Sequence, residues 1–131
     1  FTAQELAAAE HVPGDDVAKV VVVWAAGSYR LLVLPASYNV RFDRLESIFG
    51  DGGCRLATED EISEMFPDCE LGAMPPFGRE YGIETYADKH LAEDETIIFQ
   101  AGHHDEAIRM SWKDYQKLEK PKMVDFAQHL H

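Results

Sequence analysis

The fold of this chain is decided by the stretch Val17-Ala-Lys-Val-Val-Val-Val-Trp-Ala-Ala-Gly-Ser-Tyr-Arg-Leu-Leu-Val-Leu-Pro35. Its β-branched run, Val20 to Trp24, predicts a buried strand. The following segment, Ala25 to Ser28, contains a glycine and predicts a turn, after which Tyr29 to Leu34 pairs back as the second strand of a hairpin. Pro35 ends this second strand because proline has no backbone N–H to donate.

Short helices and short strands are predicted around this hairpin. Capping boxes and apolar spacing predict helices at Thr2–Ala9, Arg41–Phe49, Thr58–Phe66, Ser111–Leu118 and Met123–Leu130. Further strands are predicted at Cys54–Ala57, Ile83–Tyr86, Thr96–Phe99 and Glu106–Met110. Because strands and helices do not alternate strictly, a doubly wound parallel sheet is not expected. The pattern predicts an α+β fold, with a mixed, barrel-like β-sheet of about six strands and short surrounding helices.

The composition is that of one globular domain over residues 1–131. Hydrophobic residues make up 46% of the chain, which is enough for a core. No apolar run approaches the roughly 20 residues that cross a bilayer as a helix, so we expect no membrane partner. The two cysteines, Cys54 and Cys69, make no disulfide framework and predict the reduced thiols of a cytoplasmic protein.

The charge balance is strongly acidic. Twelve lysines and arginines face 24 aspartates and glutamates, for a net charge of −12. This balance disfavours non-specific binding to nucleic acids or acidic membranes, although it leaves room for a local basic patch. Lys113, Lys117 and Lys120 are spaced to share one helix face. Such a face is usually solvated, and contact with a polyanion is the alternative.

A second unusual stretch is Gly72-Ala-Met-Pro-Pro-Phe-Gly78, called the glycine loop below. Each proline fixes its own φ, and the residue before each proline is pushed toward extended geometry. The sequence therefore predicts a stiff loop. A rigid connector and a loop that lines a ligand site both fit this prediction.

Two further positions carry chemically useful side chains. Lys19 is either a strand-end lysine whose ammonium reaches water or a charge aimed at a phosphate or carbonyl. His103 and His104 are adjacent, so on a strand they would point to opposite faces, and we expect no metal site. His103 is either a surface residue of a turn or a substrate contact. No nucleophile elbow, phosphate-binding loop or dinucleotide fingerprint is found in the sequence, and no cofactor is expected.

The chain resembles the YbaK-type, or prolyl-tRNA-synthetase-associated, domain family of trans-acting aminoacyl-tRNA deacylases. The matching segments are Thr2–Glu5, Val17–Lys19, Leu34–Ser37, Gly72–Gly78, Ala101–His104 and Ile108–Met110. Members of this family usually have a strand and a helix before the segment that matches Thr2–Glu5. This sequence does not contain them, and we expect the domain to lack both.

The resemblance implies a barrel-like α+β fold and a set of site residues. Catalytic positions carry over to Lys19, Gly72, Gly102 and His103. Substrate-binding positions are expected at Thr2, Trp24, Met74, Pro76, Phe77 and Gly78, with Trp24, Met74 and Phe77 selecting the side chain by size. Apart from the resemblance, a chain with a net charge of −12 needs a local basic patch to bind tRNA, and Lys113, Lys117 and Lys120 are the expected contacts.

The implied reaction is hydrolysis of the ester between a small mischarged amino acid and a tRNA, with a proline tRNA as the first candidate. The expected partners are the acceptor end of an aminoacyl-tRNA and an aminoacyl-tRNA synthetase, and the expected protein is a monomer or weak dimer. Two alternatives remain: a non-catalytic tRNA- or protein-binding module that retains the pocket, and a hydrolase of other small esters or amides.

Overall fold

The computed structural model describes residues 17–50 and 52–129. The predicted helix at Thr2–Ala9 therefore lies outside the described residues. The strands are β1 Ala18–Ala25, β2 Ser28–Pro35, β3 Tyr38–Val40, β4 Arg55–Leu56, β5 Glu84–Asp88, β6 Thr96–Gln100, β7 Ala107–Ser111, β8 Lys122–Val124 and β9 Ala127–His129. The α-helices are α1 Phe42–Phe49, α2 Glu59–Met65 and α3 Trp112–Glu119, with 3₁₀ turns at Gly78–Tyr81 and Lys89–Glu93. No helix in this described part of the chain is long and apolar enough to cross a membrane.

The predicted hairpin is the centre of the fold. β1 and β2 pair antiparallel from Ala18 opposite Pro35 to Ala25 opposite Ser28. They lie within a five-stranded sheet of order β4-β1-β2-β5-β8, in which β5 pairs parallel with both β2 and β8. Two antiparallel ribbons, β3–β9 and β6–β7, complete the strands. The α+β class with a mixed sheet is confirmed, whereas closure of the sheet into a barrel stays a prediction.

The two faces of the hairpin bury two different cores. Side chains alternate along a strand, so Val22 and Leu31 belong to a first core together with Phe66, Met74, Phe99 and Tyr115. Val23 and Leu32 belong to a second core together with Leu34, Leu45, Tyr86 and Phe126. The glycine loop lies on the side of the first core, because Met74 is one of its buried members.

Local capping signals correctly predicted two helix starts. Thr58 accepts from the backbone N–H of Glu61, whose carboxylate accepts from the N–H of Thr58, so the capping box at the start of α2 is present. The hydroxyl of Ser111 accepts from the N–H of Asp114 at 3.0 Å and caps α3. Both caps satisfy backbone donors that the first turn leaves unpaired.

The predicted helix at Met123–Leu130 is wrong over its described residues, because these form the end of β8 and all of β9. The buried carboxylate of Asp88 explains much of the difference. One of its oxygens accepts from the backbone N–H groups of Phe126 and Ala127, each at 3.0 Å, and β9 then pairs with β3 instead of continuing a helix. β3, β8 and β9 were not predicted and raise the strand number of the described residues to nine.

Gly78 is the most tightly enclosed glycine of the glycine loop. A Cβ atom at this position would lie 2.5 Å from Oγ1 of Thr85 and 2.6 Å from the carbonyl oxygen of Ile83. Backbone cannot move away as a flexible side chain could. This end of the loop is therefore pressed against the start of β5.

We expect Gly78→Ala to lower the free energy of unfolding by roughly 1–3 kcal/mol, because the added methyl overpacks the contact. Urea denaturation measures the change. Gly52→Ala is the matched control, since a Cβ there meets nothing within 4 Å, and it should change stability by less than about 0.5 kcal/mol. Equal urea midpoints of unfolding for Gly78→Ala and Gly52→Ala would contradict the close packing at Gly78.

Candidate active site

Two loops are joined by reciprocal backbone hydrogen bonds on the first-core side. The N–H of Gly102 donates to the carbonyl of Ala73 at 2.8 Å, and the N–H of Glu70 donates to the carbonyl of Gly102 at 2.7 Å. The segment between β6 and β7 is thus fixed against the start of the glycine loop. The structure brings together Gly72 and Gly102, the two glycines that the resemblance implied for catalysis.

Both of these glycines have left-handed backbone geometry. Gly72 has φ of 84° and Gly102 has φ of 98°, values that side-chain-bearing residues rarely adopt. Gly72 lies beside an imidazole, since a Cβ there would be 3.4 Å from Cε1 of His104. Gly102 is buried, and a Cβ there would lie 3.6 Å from the sulfur of Cys69. Glycine therefore permits both the turn and the close approach.

Glu70 organises the two histidines that follow Gly102. Its carboxylate lies 3.1 Å from Nδ1 of His103 and accepts from the backbone N–H of His104 at 3.4 Å. The hydrogen bond to Glu70 raises the pKa of His103, and the same bond holds the pKa of Glu70 below its usual range. His103 and Glu70 are each about half exposed, at 48%.

His104 is held by a second contact. Its Nε2 lies 2.7 Å from the carbonyl oxygen of Leu71, which can only accept, so Nε2 carries the proton. Sequence reasoning missed Glu70 and did not select His104 as a site residue. Glu70 precedes His103 by 33 residues. The available signal was a carboxylate two residues before a glycine-proline loop.

An apolar cavity of about 340 Å³ adjoins Gly72. Met74, Val20 and Val22 line it, together with Ile62 from α2, and Glu59 lies among the same lining residues. A cavity of this character can hold a small apolar group. Met74 is the member of the expected substrate-binding set that lines it.

Lys19 lies near the start of β1, half-buried, opposite Leu34 in the hairpin register. Burial lowers the pKa of its ammonium. It is not among the residues lining the cavity. However, Val17 forms a parallel bridge with Ile98. This isolated bridge places the start of β1 beside β6, the strand that leads to the loop of Gly102.

The far end of the glycine loop is packed into the first core and does not line this cavity. The hydroxyl of Tyr115 donates to the carbonyl of Pro76 at 2.7 Å. The ring of Phe77 contacts Phe99 and Tyr115 edge to face, with centroids 5.5 and 5.4 Å away. Gly78 follows in the contact with Thr85 described above. In this structure, Pro76, Phe77 and Gly78 therefore anchor the glycine loop to the first core.

Trp24 lines a different cavity, of about 510 Å³, together with Tyr29 and Tyr81. The structure thus separates Trp24 from the cavity of Met74. Thr2 lies outside the described residues. Trp24 and Met74, both expected to select the side chain by size, therefore line two different cavities.

The basic residues of α3 form a smaller face than the spacing predicted. Lys113 and Lys117 are exposed within the helix. Lys120 is its C-cap, with a left-handed φ of 52°. It therefore leaves the helix geometry on which the prediction of a three-lysine face rested.

Within the part of the chain that the structure describes, the Cys69 thiol and one cluster of possible metal ligands are the other groups considered for chemistry. Burial raises the pKa of the Cys69 thiol, which disfavours the reactive thiolate. Asp88, His90 and Asp125 lie close enough to hold an ion. Yet the oxygens of Asp88 accept from backbone N–H groups, and Asp125 pairs with Lys89 at 3.1 Å, so internal contacts already engage these carboxylates.

The family profile and the related proteins that match this chain indicate the same family. The sequence profile of the aminoacyl-tRNA editing domain matches residues 1–118. The chain is 31% identical over 97 residues to the multifunctional Ser/Thr-tRNA deacylase ProXp-y of Escherichia coli strain K12, a match covering 73% of this chain and 58% of that protein. It is 29% identical over 106 residues to a proline–tRNA ligase of Staphylococcus saprophyticus, covering 79% of this chain and 18% of the ligase.

The fold is also similar to a crystal structure of a candidate trans-editing enzyme for prolyl-tRNA synthetase. The TM-score is 0.86 at 21% sequence identity, and the match covers 97% of this chain and 80% of that one. This likeness extends over the chain as a whole. By contrast, the chain spans only 58% of the length of its Escherichia coli relative.

We expect Glu70→Gln to lower the pKa of His103 toward the ordinary 6.5, because it removes the charged hydrogen-bond partner. NMR titration of the imidazole measures this. The drop should be partial, since Asp105 and Glu106 also favour the protonated ring. Because the folded-state pKa is raised, the pair stabilises the fold while His103 is protonated, and this contribution is lost as pH rises through that pKa. Glu64→Gln, an exposed change on α2, is the control and should leave the titration unchanged.

Proposed function

The chain belongs to the aminoacyl-tRNA editing domain family, and from that membership we propose that it hydrolyses the ester joining a small, wrongly attached amino acid to a tRNA. The observation that carries the proposal is the reciprocal hydrogen bonding between Gly102, Ala73 and Glu70. It joins the turn of Gly102 to the glycine loop, whose Gly72 and Met74 line a small apolar cavity, and the Glu70–His103 pair lies at the same junction.

The reaction needs little chemistry from side chains. An aminoacyl ester is already labile, so positioning and electrostatic stabilisation can supply the rate. Lys19 holds the terminal phosphate or polarises the ester carbonyl, and backbone groups near Gly72 bind the α-amino group or a ribose hydroxyl. A water molecule attacks the ester. His103, held by Glu70, contacts the substrate from the opposite loop.

Amino-acid selection is assigned to the cavity beside Met74. In this proposal, its volume of about 340 Å³ holds the ester end of the substrate and the side chain of the attached amino acid. Synthetases discriminate poorly between small apolar side chains, because one methylene is worth only about 1–3 kcal/mol. A second site that accepts small residues corrects such errors. Alanine, cysteine and serine are the candidates, with a proline tRNA as carrier.

The remaining assignments follow from the resemblance and from the relatives. We propose a single editing domain over residues 1–131 that acts in the cytoplasm as a monomer or weak dimer. An aminoacyl-tRNA synthetase is the proposed partner, which fits the similarity to part of a proline–tRNA ligase. At a net charge of −12, contact with tRNA needs a local basic face, and Lys113 and Lys117 of α3 supply it, with Lys120 beside them.

One observation favours a second candidate function. Lys19 is not among the residues that line the cavity of Gly72 and Met74. A binding module that retains the pocket without hydrolysis would tolerate this arrangement. The two functions separate in a turnover assay.

We expect the wild-type chain to release one small amino acid from a panel of mischarged tRNAs. Lys19→Ala should reduce turnover by at least about 100-fold, as expected when an electrostatic catalyst is removed. Lys122→Ala removes the same charge from β8, three strands away from β1, and should keep full activity. Retained activity in Lys19→Ala would refute the assignment, and no release by folded wild type would favour the binding module.

Reversing Lys113 and Lys117 to glutamate should raise the KM for charged tRNA and flatten its salt dependence. Each lost phosphate contact removes about 0.7–0.9 from the slope of log affinity against log salt. The double variant Lys89→Glu/Lys122→Glu changes net charge equally and serves as the control. Equal effects of both double variants would show that overall charge, rather than the α3 face, sets the affinity.

A further inference from the structure

We propose that Tyr115 and Glu119, on the buried side of α3, are positioning residues that hold the glycine loop in its reactive geometry. This inference rests on the proposed deacylase function. Neither side chain lines the cavity beside Gly72, so both would act through the loop and not on the substrate. Their spacing of four residues places them on the same helix face.

Tyr115 fixes the middle of the loop. Its side chain is fully buried, and its hydroxyl donates to the carbonyl of Pro76 at 2.7 Å. Burial raises the pKa of the Tyr115 hydroxyl, which therefore remains a donor at neutral pH. Pro76 has a fixed φ, and Pro75 before it is restricted as well. A displacement at Pro76 is therefore transmitted along a stiff segment toward Met74 and Gly72.

Glu119 fixes the far end of the loop. One of its carboxylate oxygens accepts from the backbone N–H of Arg79 at 3.2 Å and from the hydroxyl of Thr85 at 2.5 Å. The Thr85 hydroxyl in turn accepts from the N–H of Gly78 at 3.1 Å. The last residue of α3 is thus connected to Gly78 through two hydrogen bonds. Glu119 is 2% exposed, so its carboxylate is largely shielded from water.

The two faces of α3 have different roles in this proposal. Lys113 and Lys117 point outward, whereas Tyr115 and Glu119 contact the segment that ends the glycine loop. The same short helix therefore carries the proposed tRNA contact and the supports of the catalytic loop. The position of the tRNA and the geometry of the glycine loop would therefore both depend on α3.

Steady-state deacylation by single variants tests the proposal. Tyr115→Phe removes one hydroxyl and should lower kcat at least about tenfold, since small misplacements of reacting groups are costly. The KM for charged tRNA should stay within about twofold, because the lysine face is unchanged. Tyr86→Phe is the matched control: it removes a hydroxyl from another buried tyrosine, in the second core, and should leave both parameters unchanged.

Glu119 is tested by a pair of variants. Glu119→Gln keeps an acceptor oxygen and should retain most of the wild-type kcat. Glu119→Ala removes the acceptor and should lower kcat. Urea unfolding of each variant gives the folded fraction under assay conditions. A loss of kcat no larger than the loss of folded protein, or equal kcat values for Tyr115→Phe and Tyr86→Phe, would overturn the proposal.

Amide hydrogen exchange separates this inference from the proposed function. Tyr115→Phe should speed exchange of the Met74, Phe77 and Gly78 amides relative to Tyr86→Phe. If wild-type protein releases no amino acid from any tRNA, the proposed function fails and catalytic positioning fails with it. Unchanged exchange at these three amides would overturn the loop-holding role by itself, whatever the activity.

Discussion

The antiparallel register of β1 and β2 is the constraint on which the rest of the structure depends. β2 is buried on both faces from Leu31 to Pro35, so each of its side chains has a defined core to fill. A slip of one residue would exchange the contents of the two cores. Just before β1, Val17 forms a parallel bridge with Ile98 of β6. The strand that leads into the loop of Gly102 is therefore positioned by the hairpin.

The candidate site is built mainly from backbone groups, with side chains supporting it from outside. Gly72 and Gly102 provide turns and close approach, and the cross-loop hydrogen bonds use main-chain donors and acceptors. Glu70 and its histidines lie on the exposed side of these turns, while Tyr115 and Glu119 support the loop from the core. A site of this kind suits a labile ester, because precise placement matters more than a strong nucleophile.

Features with a local cause could be predicted from the sequence, and those that depend on distant partners could not. The hairpin and the caps at Thr58 and Ser111 arise within a few residues, and all were predicted correctly. β3, β8 and β9 have three residues each and exist because of their partners, as the contact of Asp88 with Phe126 illustrates. Gly72 and Gly102 were assigned to catalysis from the family resemblance. Glu70 was missed because its contact with His103, 33 residues later, depends on the pairing of two loops, and its position just before the glycine loop does not by itself indicate that contact.

The buried carboxylate of Asp88 also limits how early the second core can be completed during translation. Its partner N–H groups belong to Phe126 and Ala127, the nearer of them 38 residues later in the chain. Burying the carboxylate before they arrive would leave Oδ1 without its two backbone donors, while Oδ2 keeps the backbone N–H of His90. At about 5–20 residues per second, the ribosome needs roughly 2–8 s to make the intervening segment. Until that segment is made, Oδ1 of Asp88 lacks these two donors, so the second core, which includes Phe126, cannot be completed before β9 is synthesised.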